Sequence, residues 1–420
     1  MLRLVKGEAG SVITIWRRDT ELAGYDRLIV GGGVVGLTLA KTIKEREGGN
    51  ILILEKEDQL GAHASGRNSG VLHAGLYYKP ETLKAKLCVK GSRMMKEYCR
   101  EHDLPLKTLG KVVVPHDQSD KSAIEKMMSY GKANGVPLEL LDQKGLKERE
   151  PAISEDIDQG IYSPSTAIVN PKVVLERLST QLQDSGVTIN RGERVTSIDP
   201  QEKKVVTTKG TYNYGHLVNC AGAYADRISH QFGVGKQFRM LPFKGLYYKL
   251  SPVSPIKITG NIYPVPDLRV PFLGVHFTKS VGGDVYVGPT AIPALGREHY
   301  RGMEGIRLGD SLQICRALTG QFIANHNGFR TLVRQELPKL SKSGFFKAAQ
   351  KLAPQLKPEH LLSCEKVGIR AQLYDTKTGL LEMDFNVERG PDSTHVLNAV
   401  SPAFTCSLSF ADYVYQEYLA

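Results

Sequence analysis

The sequence lacks several patterns that define common classes of protein. No apolar run reaches the roughly 18 residues that span a bilayer, which excludes a protein anchored by spanning helices. The six cysteines are scattered without a CxxC pair. Neither a zinc site nor a disulfide framework is therefore predicted, and a reducing compartment suits the chain. With a single tryptophan and no recognisable nucleic-acid module, no nucleic acid partner is expected.

Three catalytic signatures are also missing. No P-loop lysine follows the glycine-rich turn near the start of the chain, and neither HExxH nor GxSxG occurs. These absences exclude the common nucleoside triphosphatases, metalloproteases and α/β-hydrolases. No metal is predicted.

What is present is typical of a globular protein. Of 420 residues, 41% are hydrophobic and 24% charged, and this length predicts two domains or two interleaved lobes. Lysine and arginine exceed the acidic residues by 55 − 44 = 11. This positive charge suits an anionic substrate, an anionic membrane surface or a nucleic acid.

A βαβ unit begins at Tyr25. Arg27–Val30 predicts a buried strand, a glycine turn follows at once, and a helical apolar stripe leads to a second strand, Ile51–Leu54, which ends at Glu55. The glycines of the turn are Gly31, Gly33 and Gly36, in the GxGxxG spacing of a dinucleotide site. Such glycines allow a tight turn, a close approach of pyrophosphate to the backbone and close packing of helix on sheet. A strand-terminal acid is placed to accept hydrogen bonds from a ribose.

The rest of the chain predicts a two-lobed α/β protein, in which a Rossmann-like domain carries an inserted antiparallel-sheet domain for the substrate. Residues 25–100, 151–237 and 360–420 are assigned to the nucleotide-binding domain. Residues 101–150 and 238–359 are assigned to the substrate-binding domain, and residues 1–24 form an extension that is a weak candidate for a targeting segment.

The fingerprint alone does not separate NAD from FAD. The small and polar residues from Ser65 to Tyr78, so soon after the ribose acid, can line an extended cofactor toward a ring system, which favours FAD. A plain NAD dehydrogenase would not need this second cradle.

From Tyr25 onward the chain resembles the FAD-dependent oxidoreductases of the D-amino-acid oxidase and glycine oxidase superfamily. The motifs that carry the resemblance are LEKE at 54–57, NSGVLHAGLYYKP at 68–80, NIYPVPD at 261–267, PFLGVHFT at 271–278 and GIRAQ at 368–372. Within the superfamily, they are similar to those of enzymes that oxidise L-2-hydroxyglutarate to 2-oxoglutarate. Two departures are Arg67, where the family usually has histidine, and the bulkier segment 401–406, in which Phe404 could reshape the space beside the flavin.

The resemblance implies a site for a 2-hydroxy dicarboxylate beside FAD. Arg370 is expected to bind the substrate carboxylate, since a guanidinium fork matches a carboxylate. His276 is expected to remove the hydroxyl proton, with His73 as a competitor for this role or a partner or covalent attachment point of the flavin. Lys244 is a candidate for the distal carboxylate. The residues expected to bind FAD are Gly31, Gly33, Gly36, Glu55, Lys56, Ser65, Asn68, Ser69, Gly70, Val195, Ala221, Gly222, Ser401, Pro402, Ala403 and Thr405.

The electron acceptor is expected to be a membrane quinone or another carrier. Between Arg334 and Lys357, six basic residues stand against one acid, with Phe345, Phe346 and Leu352 among them. The segment is either an ordinary solvated helix or, with these apolar side chains exposed, a surface that docks on anionic lipid. The resemblance also implies a mitochondrial location. The alternatives are an amino-acid or amine oxidase on the same scaffold, and a flavin-containing RNA-binding or RNA-modifying protein.

Overall fold

The structure, a computed structural model, describes residues 24–115, 120–269 and 271–420, together with two short strands before them. The strands are β1 (Val5–Lys6), β2 (Val12–Ile13), β3 (Gly24–Val30), β4 (Ile51–Leu54), β5 (Val71–Leu72), β6 (Leu106–Thr108), β7 (Lys111–Val114), β8 (Glu139–Asp142), β9 (Gln159–Ser163), β10 (Ala167–Val169), β11 (Thr188–Asn190), β12 (Val195–Asp199), β13 (Lys204–Thr207), β14 (Thr211–Asn219), β15 (Phe238–Leu250), β16 (Asn261–Pro264), β17 (His276–Lys279), β18 (Val285–Gly288), β19 (Ile292–Pro293), β20 (Leu361–Asp375), β21 (Leu380–Leu381), β22 (Asn386–Gly390) and β23 (Ser393–Asn398).

Helices pack on both of the large sheets described below. They are α1 (Val34–Glu47), α2 (Leu83–Glu101), α3 (Lys121–Ala133), α4 (Gln143–Arg149), α5 (Pro171–Asp184), α6 (Ala225–Gln231), α7 (Leu308–Ala324), α8 (Phe329–Glu336), α9 (Lys342–Gln350) and α10 (Ala403–Val414). Short 3₁₀ turns occupy Gly222–Tyr224, His326–Gly328, Leu337–Leu340 and Pro358–His360, and a π-helical turn, Tyr415–Leu419, ends the chain.

An eight-stranded sheet contains the βαβ unit. Its order is β11-β4-β3-β14-β13-β12, and β23 pairs with β14 and with β22. Strands β11, β4, β3, β14 and β23 run parallel. The register sets Val30 beside both Leu54 and Asn219, so the carboxyl ends of three neighbouring strands lie at one edge, where parallel sheets bind their ligands. Helices α1, α5 and α10 pack together over this sheet around a core that includes Leu37 and Phe410.

A ten-stranded sheet forms the second layer of the molecule. Its order is β21-β20-β15-β18-β17-β16-β7-β9-β8, with β19 on β15. All pairs are antiparallel except β16 with β7. The longest pair, β15 with β20, runs from Phe238 opposite Asp375 to Leu250 opposite Leu361. Strands β9 and β20 belong to this sheet although the sequence analysis assigned their segments to the nucleotide-binding domain.

The predicted βαβ unit is confirmed. The strand–turn–helix–strand order is present as β3, α1 and β4. The motif segment 271–278 forms a strand only at its end, because Gly274 takes a φ of +73°, which breaks the extended backbone. Pairing therefore begins only at His276.

The structure tests the expectation of no membrane-spanning helix but hardly tests the expected targeting segment. Within residues 24–115, 120–269 and 271–420, no helix is both long and apolar enough to cross a membrane. The predicted targeting segment, residues 1–24, lies outside the described residues apart from Gly24 and the paired strands β1 and β2.

Candidate active site

A cavity of about 680 Å³ is lined by residues from both sheets. It extends from Val195 of β12, past the carboxyl ends of β3 and β4, to the second sheet at His276 and Arg370. Most of the residues predicted for the site line it: Gly31, Gly33, Glu55, Lys56, Ser65, Asn68, Ser69, His73, Val195, Ala221, Gly222, His276, Arg370, Ser401, Pro402, Ala403 and Thr405. Gly36, Gly70 and Lys244 do not line it.

The glycine turn has no room for side chains. Gly31 takes a φ of +110°, and a Cβ there would collide with the backbone carbonyl of Cys220. A Cβ on Gly36 would collide with the carbonyl oxygen of Gly31, so Gly36 closes the helix onto the strand without lining the cavity. Gly33 is the N-cap of α1 and offers no side-chain cap. Gly33 and Val34 line the cavity, so the N-terminus of the helix lies at the cavity wall, as binding of a pyrophosphate requires.

Glu55 holds the turn at the end of β4. Its carboxylate accepts hydrogen bonds from the backbone N–H groups of Gly32 and Glu57, both at 2.9 Å. A carboxylate fixed by two backbone donors lines the cavity in one orientation. This is the position from which the predicted ribose contact would be made.

Lys56 is paired with acids at the cavity wall. Its Nζ forms an ion pair with Glu57 and another, 2.7 Å long, with Glu298, and lies 2.7 Å from His63 Nε2. Burial alone would raise the pKa of Glu57. The hydrogen bonds and charges of Lys56 and His63 outweigh burial and lower this pKa to about 2. Glu57, His63 and Glu298 are close enough together to hold a metal ion, but the ammonium of Lys56 already lies among them.

The second cradle is built by the segment 65–73. Ser65 Oγ accepts the N–H of Val34 at 3.0 Å, which ties this segment to the start of α1. Asn68 Oδ1 accepts the N–H of Gly70 at 2.8 Å. Gly70 takes a φ of +76° and packs against the carbonyl of Val169, so it shapes the segment from behind the cavity wall.

The first turn of α10 faces the same cavity without a cap. Pro402 precedes the helix and offers no side-chain hydrogen bond. Thr405 Oγ1 accepts the N–H of His73 at 3.1 Å and donates to the carbonyl of Val71 at 3.3 Å. A helix N-terminus favours negative charge beside it, which suits the electron-rich edge of a reduced flavin.

His276 is a buried imidazole with one nitrogen already engaged. It is 3% exposed, its Nδ1 lies 2.8 Å from the carbonyl of Gly274, and its ring stacks on Tyr263 with centroids 3.8 Å apart. Because a carbonyl only accepts, Nδ1 carries the proton and Nε2 is left as an acceptor. Burial, together with the charges of Arg370 and Lys111, lowers the pKa of His276 to about 3, so the imidazole is neutral.

Arg370 lines the cavity from β20. Its Nη1 donates to the carbonyl of Thr290 at 3.2 Å, and its guanidinium lies 5.6 Å from the ring centroid of Phe272. Burial lowers the pKa of Arg370. Within the described part of the chain, no acidic residue forms an ion pair with this guanidinium. Glu336 is near enough for its charge to act on Arg370, but a cavity-lining cation without a direct ion pair is suited to an anionic ligand.

Lys244 lies on the other face of the sheet. In the β15–β20 pair, Phe243 is opposite Arg370 and Lys244 is opposite Ile369. Side chains alternate between the two faces of a sheet, so Lys244 and Arg370 point to opposite sides. Its Nζ lies 3.4 Å from His299 Nε2. The structure therefore gives no support to a contact of Lys244 with the distal carboxylate.

Three further residues of the cavity wall carry polar side chains. Tyr263 and Tyr247 line the cavity, and so does Arg297, which forms a buried ion pair with Asp226. Tyr263 stands inside the NIYPVPD motif, which was a usable signal. No sequence signal indicated the ion pair between Arg297 and Asp226, because these two residues are far apart in the chain.

These features together define a dinucleotide-dependent oxidoreductase: a glycine turn at a helix N-terminus, a strand-terminal acid, a second uncapped helix end, and a buried imidazole beside an unpaired guanidinium. The chain belongs to the FAD dependent oxidoreductase family, whose profile matches residues 26–416. The cavity fits FAD, since its glycine turn leaves the backbone bare and it continues from the ribose acid to the second sheet. The cofactor predicted from the sequence is thus confirmed.

Several relatives of this chain are L-2-hydroxyglutarate dehydrogenases. The chain is 35% identical to "L-2-hydroxyglutarate dehydrogenase, mitochondrial" of Homo sapiens, over 95% of this chain and 90% of the relative. It is 34% identical to the L-2-hydroxyglutarate dehydrogenase of Indibacter alkaliphilus, over 92% and 96% respectively. It is 33% identical to that of Escherichia coli K12, over 93% and 92%.

Solved structures share the fold. L-alpha-glycerophosphate oxidase from Mycoplasma pneumoniae matches with a TM-score of 0.74 at 20% identity, covering 94% of both chains. Glycine oxidase from Geobacillus kaustophilus matches with a TM-score of 0.70 at 17% identity, again over 94% of each chain. The predicted fold class is confirmed by these matches.

Proposed function

We propose that this protein oxidises L-2-hydroxyglutarate to 2-oxoglutarate. The observation that carries the proposal is the pairing, in one cavity, of a neutral imidazole at His276 with a guanidinium at Arg370 that has no acidic partner among the described residues. The substrate itself is suggested by the relatives, which are named for it and are similar over nearly the whole chain.

The residues divide the chemistry among them. FAD bound in this cavity would supply a two-electron oxidant for the substrate carbon. Arg370 binds the carboxylate next to that carbon and fixes its orientation. His276 accepts the hydroxyl proton at Nε2, while its Nδ1–H stays hydrogen-bonded to Gly274. The turns at Gly31–Gly33 and Ala221–Gly222 would hold the pyrophosphate, and Glu55 would hold the ribose.

A base with a pKa of about 3 is weak when the cavity holds no substrate, and substrate binding offsets part of this weakness. The charge of Arg370 is one cause of the low pKa of His276. A substrate carboxylate on Arg370 neutralises this charge and so raises the pKa of His276. The base therefore gains strength only when a carboxylate is in place, which favours hydroxy acids over simple alcohols.

We infer that Arg67 binds the second carboxylate. Its side chain lines the cavity, stacks over the ring of Tyr300 at 4.2 Å and donates to backbone carbonyls of Ala62 and Val367. Val367 lies on β20, the strand that carries Arg370. No acidic residue pairs with Arg67 within residues 24–115, 120–269 and 271–420.

The Arg67→Met variant should lose selectivity for dicarboxylates. We expect kcat/KM for L-2-hydroxyglutarate to fall about tenfold to a hundredfold, the cost of one charge-assisted hydrogen bond, and kcat/KM for L-2-hydroxybutyrate, which has one carboxylate, to stay within about twofold. Arg330→Met is the matched control, since Arg330 also stacks on a ring, that of Phe322, and donates to backbone carbonyls but lies outside the cavity. Equal losses on both substrates would contradict this assignment.

Anaerobic titration tests the reaction itself. The yellow holoenzyme is mixed with each enantiomer of 2-hydroxyglutarate, lactate and malate, and with amino acids, while the flavin absorption is followed. Selective bleaching by L-2-hydroxyglutarate supports the proposal. Selective bleaching by lactate would overturn the substrate, and bleaching only by an amino acid would make the protein an amino-acid oxidase.

We further propose that the electrons pass to a membrane quinone, but from a different surface than the sequence indicated. Phe345 and Leu352, expected to be exposed, are fully buried, and Phe345 packs on Tyr248. The lipid-docking surface is instead formed by exposed apolar side chains on α7 and the turn after α8. They are Leu308, Leu312, Phe322, Ile323, Leu337 and Leu340. Helix α9 contacts the turn Leu337–Leu340 of this surface, and the exposed basic residues of α9 and of the segment after it complement anionic lipid.

Charge neutralisation tests this surface. Replacing Lys342, Lys347, Lys351 and Lys357 with glutamine should abolish sedimentation with vesicles that contain anionic lipid, since each lysine contributes about 1 kcal/mol near such a surface. Activity with a soluble dye should be retained. Replacing the exposed lysines Lys126, Lys132, Lys144 and Lys172 is the control for net charge. Undiminished sedimentation of the first variant would remove the surface from consideration.

A mitochondrial location is also proposed. It is supported by the human, mouse and bovine relatives, whose names include the word mitochondrial, whereas relatives of similar identity come from bacteria. Microscopy of a C-terminal fluorescent fusion in the source cells tests it, and a signal that does not overlap a mitochondrial marker would contradict it.

A further inference from the structure

Lys111 is a buried lysine that the reaction outlined above does not use. Its side chain is 1% exposed, and its Nζ has no hydrogen-bond partner among the described residues. The amine lies 4.4 Å from the ring centroid of Tyr77 and 5.0 Å from that of Tyr263. Because an unpaired buried ammonium costs several kcal/mol even with aromatic neighbours, stability does not explain its presence.

The position of Lys111 connects it to the proposed base. Strands β7, β16 and β17 are neighbours, and Tyr263 of β16 is in register with Val113 of β7. Lys111 and Val113 point to the same face, since side chains two residues apart share a face. Lys111 therefore shares that face with Tyr263, whose ring stacks on His276.

We propose that Lys111 is a positioning residue: its amine, held behind the cavity wall by the rings of Tyr77 and Tyr263, adds positive charge that disfavours protonation of His276 and His73 and attracts an anionic substrate. The role assigned to His276 rests on the proposed function; the effect of Lys111 on the two imidazoles does not. The same positive charge favours the alkoxide that forms as the substrate hydroxyl loses its proton.

The pKa values of the two histidines are consistent with a positive charge at Lys111. Burial, with the charges of Lys111 and His276, lowers the pKa of His73 to about 3, and Lys111 is also among the causes of the low pKa of His276. Burial lowers the pKa of Lys111 itself to about 7. Its charge is therefore present below about pH 7 and lost above it. The titratable groups that face it are Tyr77 and His73 after β5, Cys88 of α2, Tyr263 of β16 and His276 of β17.

The first test measures binding of 2-oxoglutarate to the holoenzyme by the change in flavin absorption. In the wild type, affinity should fall as the pH rises from 6 to 9, because Lys111 loses its charge. The Lys111→Met variant should bind about tenfold more weakly than the wild type at pH 6, equally at pH 9, and without this pH dependence. Lys111→Arg, which keeps the charge, should restore the affinity at pH 6.

The second test needs no substrate. The ring nitrogens of ¹⁵N-histidine-labelled holoenzyme are titrated by NMR, with His73→Gln and His276→Gln used for assignment. Protonation of both imidazoles should begin about one pH unit higher in Lys111→Met than in the wild type. Lys84→Met is the matched control, because Lys84 is also buried with its amine over a ring, that of Phe385, but its charge is not among the causes of the low pKa of either histidine.

The outcomes separate the two proposals. A folded, yellow Lys111→Met protein with unchanged imidazole titration would overturn the role of Lys111, whatever the substrate. Failure of L-2-hydroxyglutarate to bleach the wild-type flavin would overturn the proposed function and leave the titration result standing. Weaker binding of 2-oxoglutarate at both pH 6 and pH 9, with unchanged imidazoles, would also overturn the proposal, since it would indicate direct contact with the ligand.

Discussion

Replacing Arg370 with methionine should lower kcat/KM for L-2-hydroxyglutarate by about three orders of magnitude, and replacing it with lysine by about one to two. Truncating one partner of a buried charged pair costs about 2–5 kcal/mol, and a lysine keeps the charge but loses the planar fork that matches a carboxylate. Most of the loss should appear as weaker binding of substrate and of 2-oxoglutarate, measured by steady-state kinetics and by flavin absorption.

The same variant should not lose stability. Since Arg370 has no ion-pair partner among the described residues and donates only to the carbonyl of Thr290, removing it leaves no unpaired buried acid behind. We therefore expect a melting temperature of the holoenzyme equal to or above that of the wild type, with unchanged flavin content. A variant that melts earlier and keeps its KM would show that Arg370 supports the sheet rather than the substrate.

The nucleotide end of the site could be predicted from the sequence because its determinants are local. Gly31, Gly33 and Gly36 stand between an apolar strand and a helical stripe, and Glu55 ends the next strand, so a contiguous run of residues fixes the geometry. The structure adds the reason for each glycine, namely the carbonyl of Cys220 against Gly31 and the carbonyl of Gly31 against Gly36.

The substrate end could be predicted only in part, because it depends on which face of a sheet each residue occupies. Lys244 looked suitable by residue type, but the register of β15 on β20 turns it away from Arg370. Lys111 stands in a short apolar strand where nothing in the pattern marks its side chain as buried. Its neighbours Tyr77 and Tyr263 come from segments that are distant in the chain, and a single sequence carries no information on such pairings.

The sequence pattern also gave a wrong expectation for the exposure of two apolar side chains in the helical segment that packs on the ten-stranded sheet. Basic residues around Phe345 and Leu352 suggested an exposed amphipathic surface, yet these two side chains complete a core with Tyr248 and Leu361. The exposed apolar residues lie on α7 instead. Charge pattern predicts which residues are solvated, but it does not predict which apolar residues between them are covered.

Replacing His276 with glutamine should lower kcat about 10²- to 10⁴-fold, the usual contribution of a general base. Glutamine can still donate to the carbonyl of Gly274, so the wall should keep its shape, but its amide cannot accept the hydroxyl proton. Because the pKa of His276 lies at about 3, the wild-type kcat/KM should show no loss of base as the pH falls from 8 to 6, whereas an unperturbed histidine would lose most of its neutral form near pH 6.

Two comparisons make the His276 result decisive. His216→Gln is the matched control, because His216 is partly buried with its pKa lowered to about 4 and lies on β14 outside the cavity; its kcat should stay within about twofold of the wild type. His73→Gln separates the two candidate bases, since the base is the histidine whose loss lowers kcat without loss of flavin. If His276→Gln hardly slows the enzyme while substrate binding is intact, proton removal is not limiting, as expected of an amine substrate rather than a hydroxy acid.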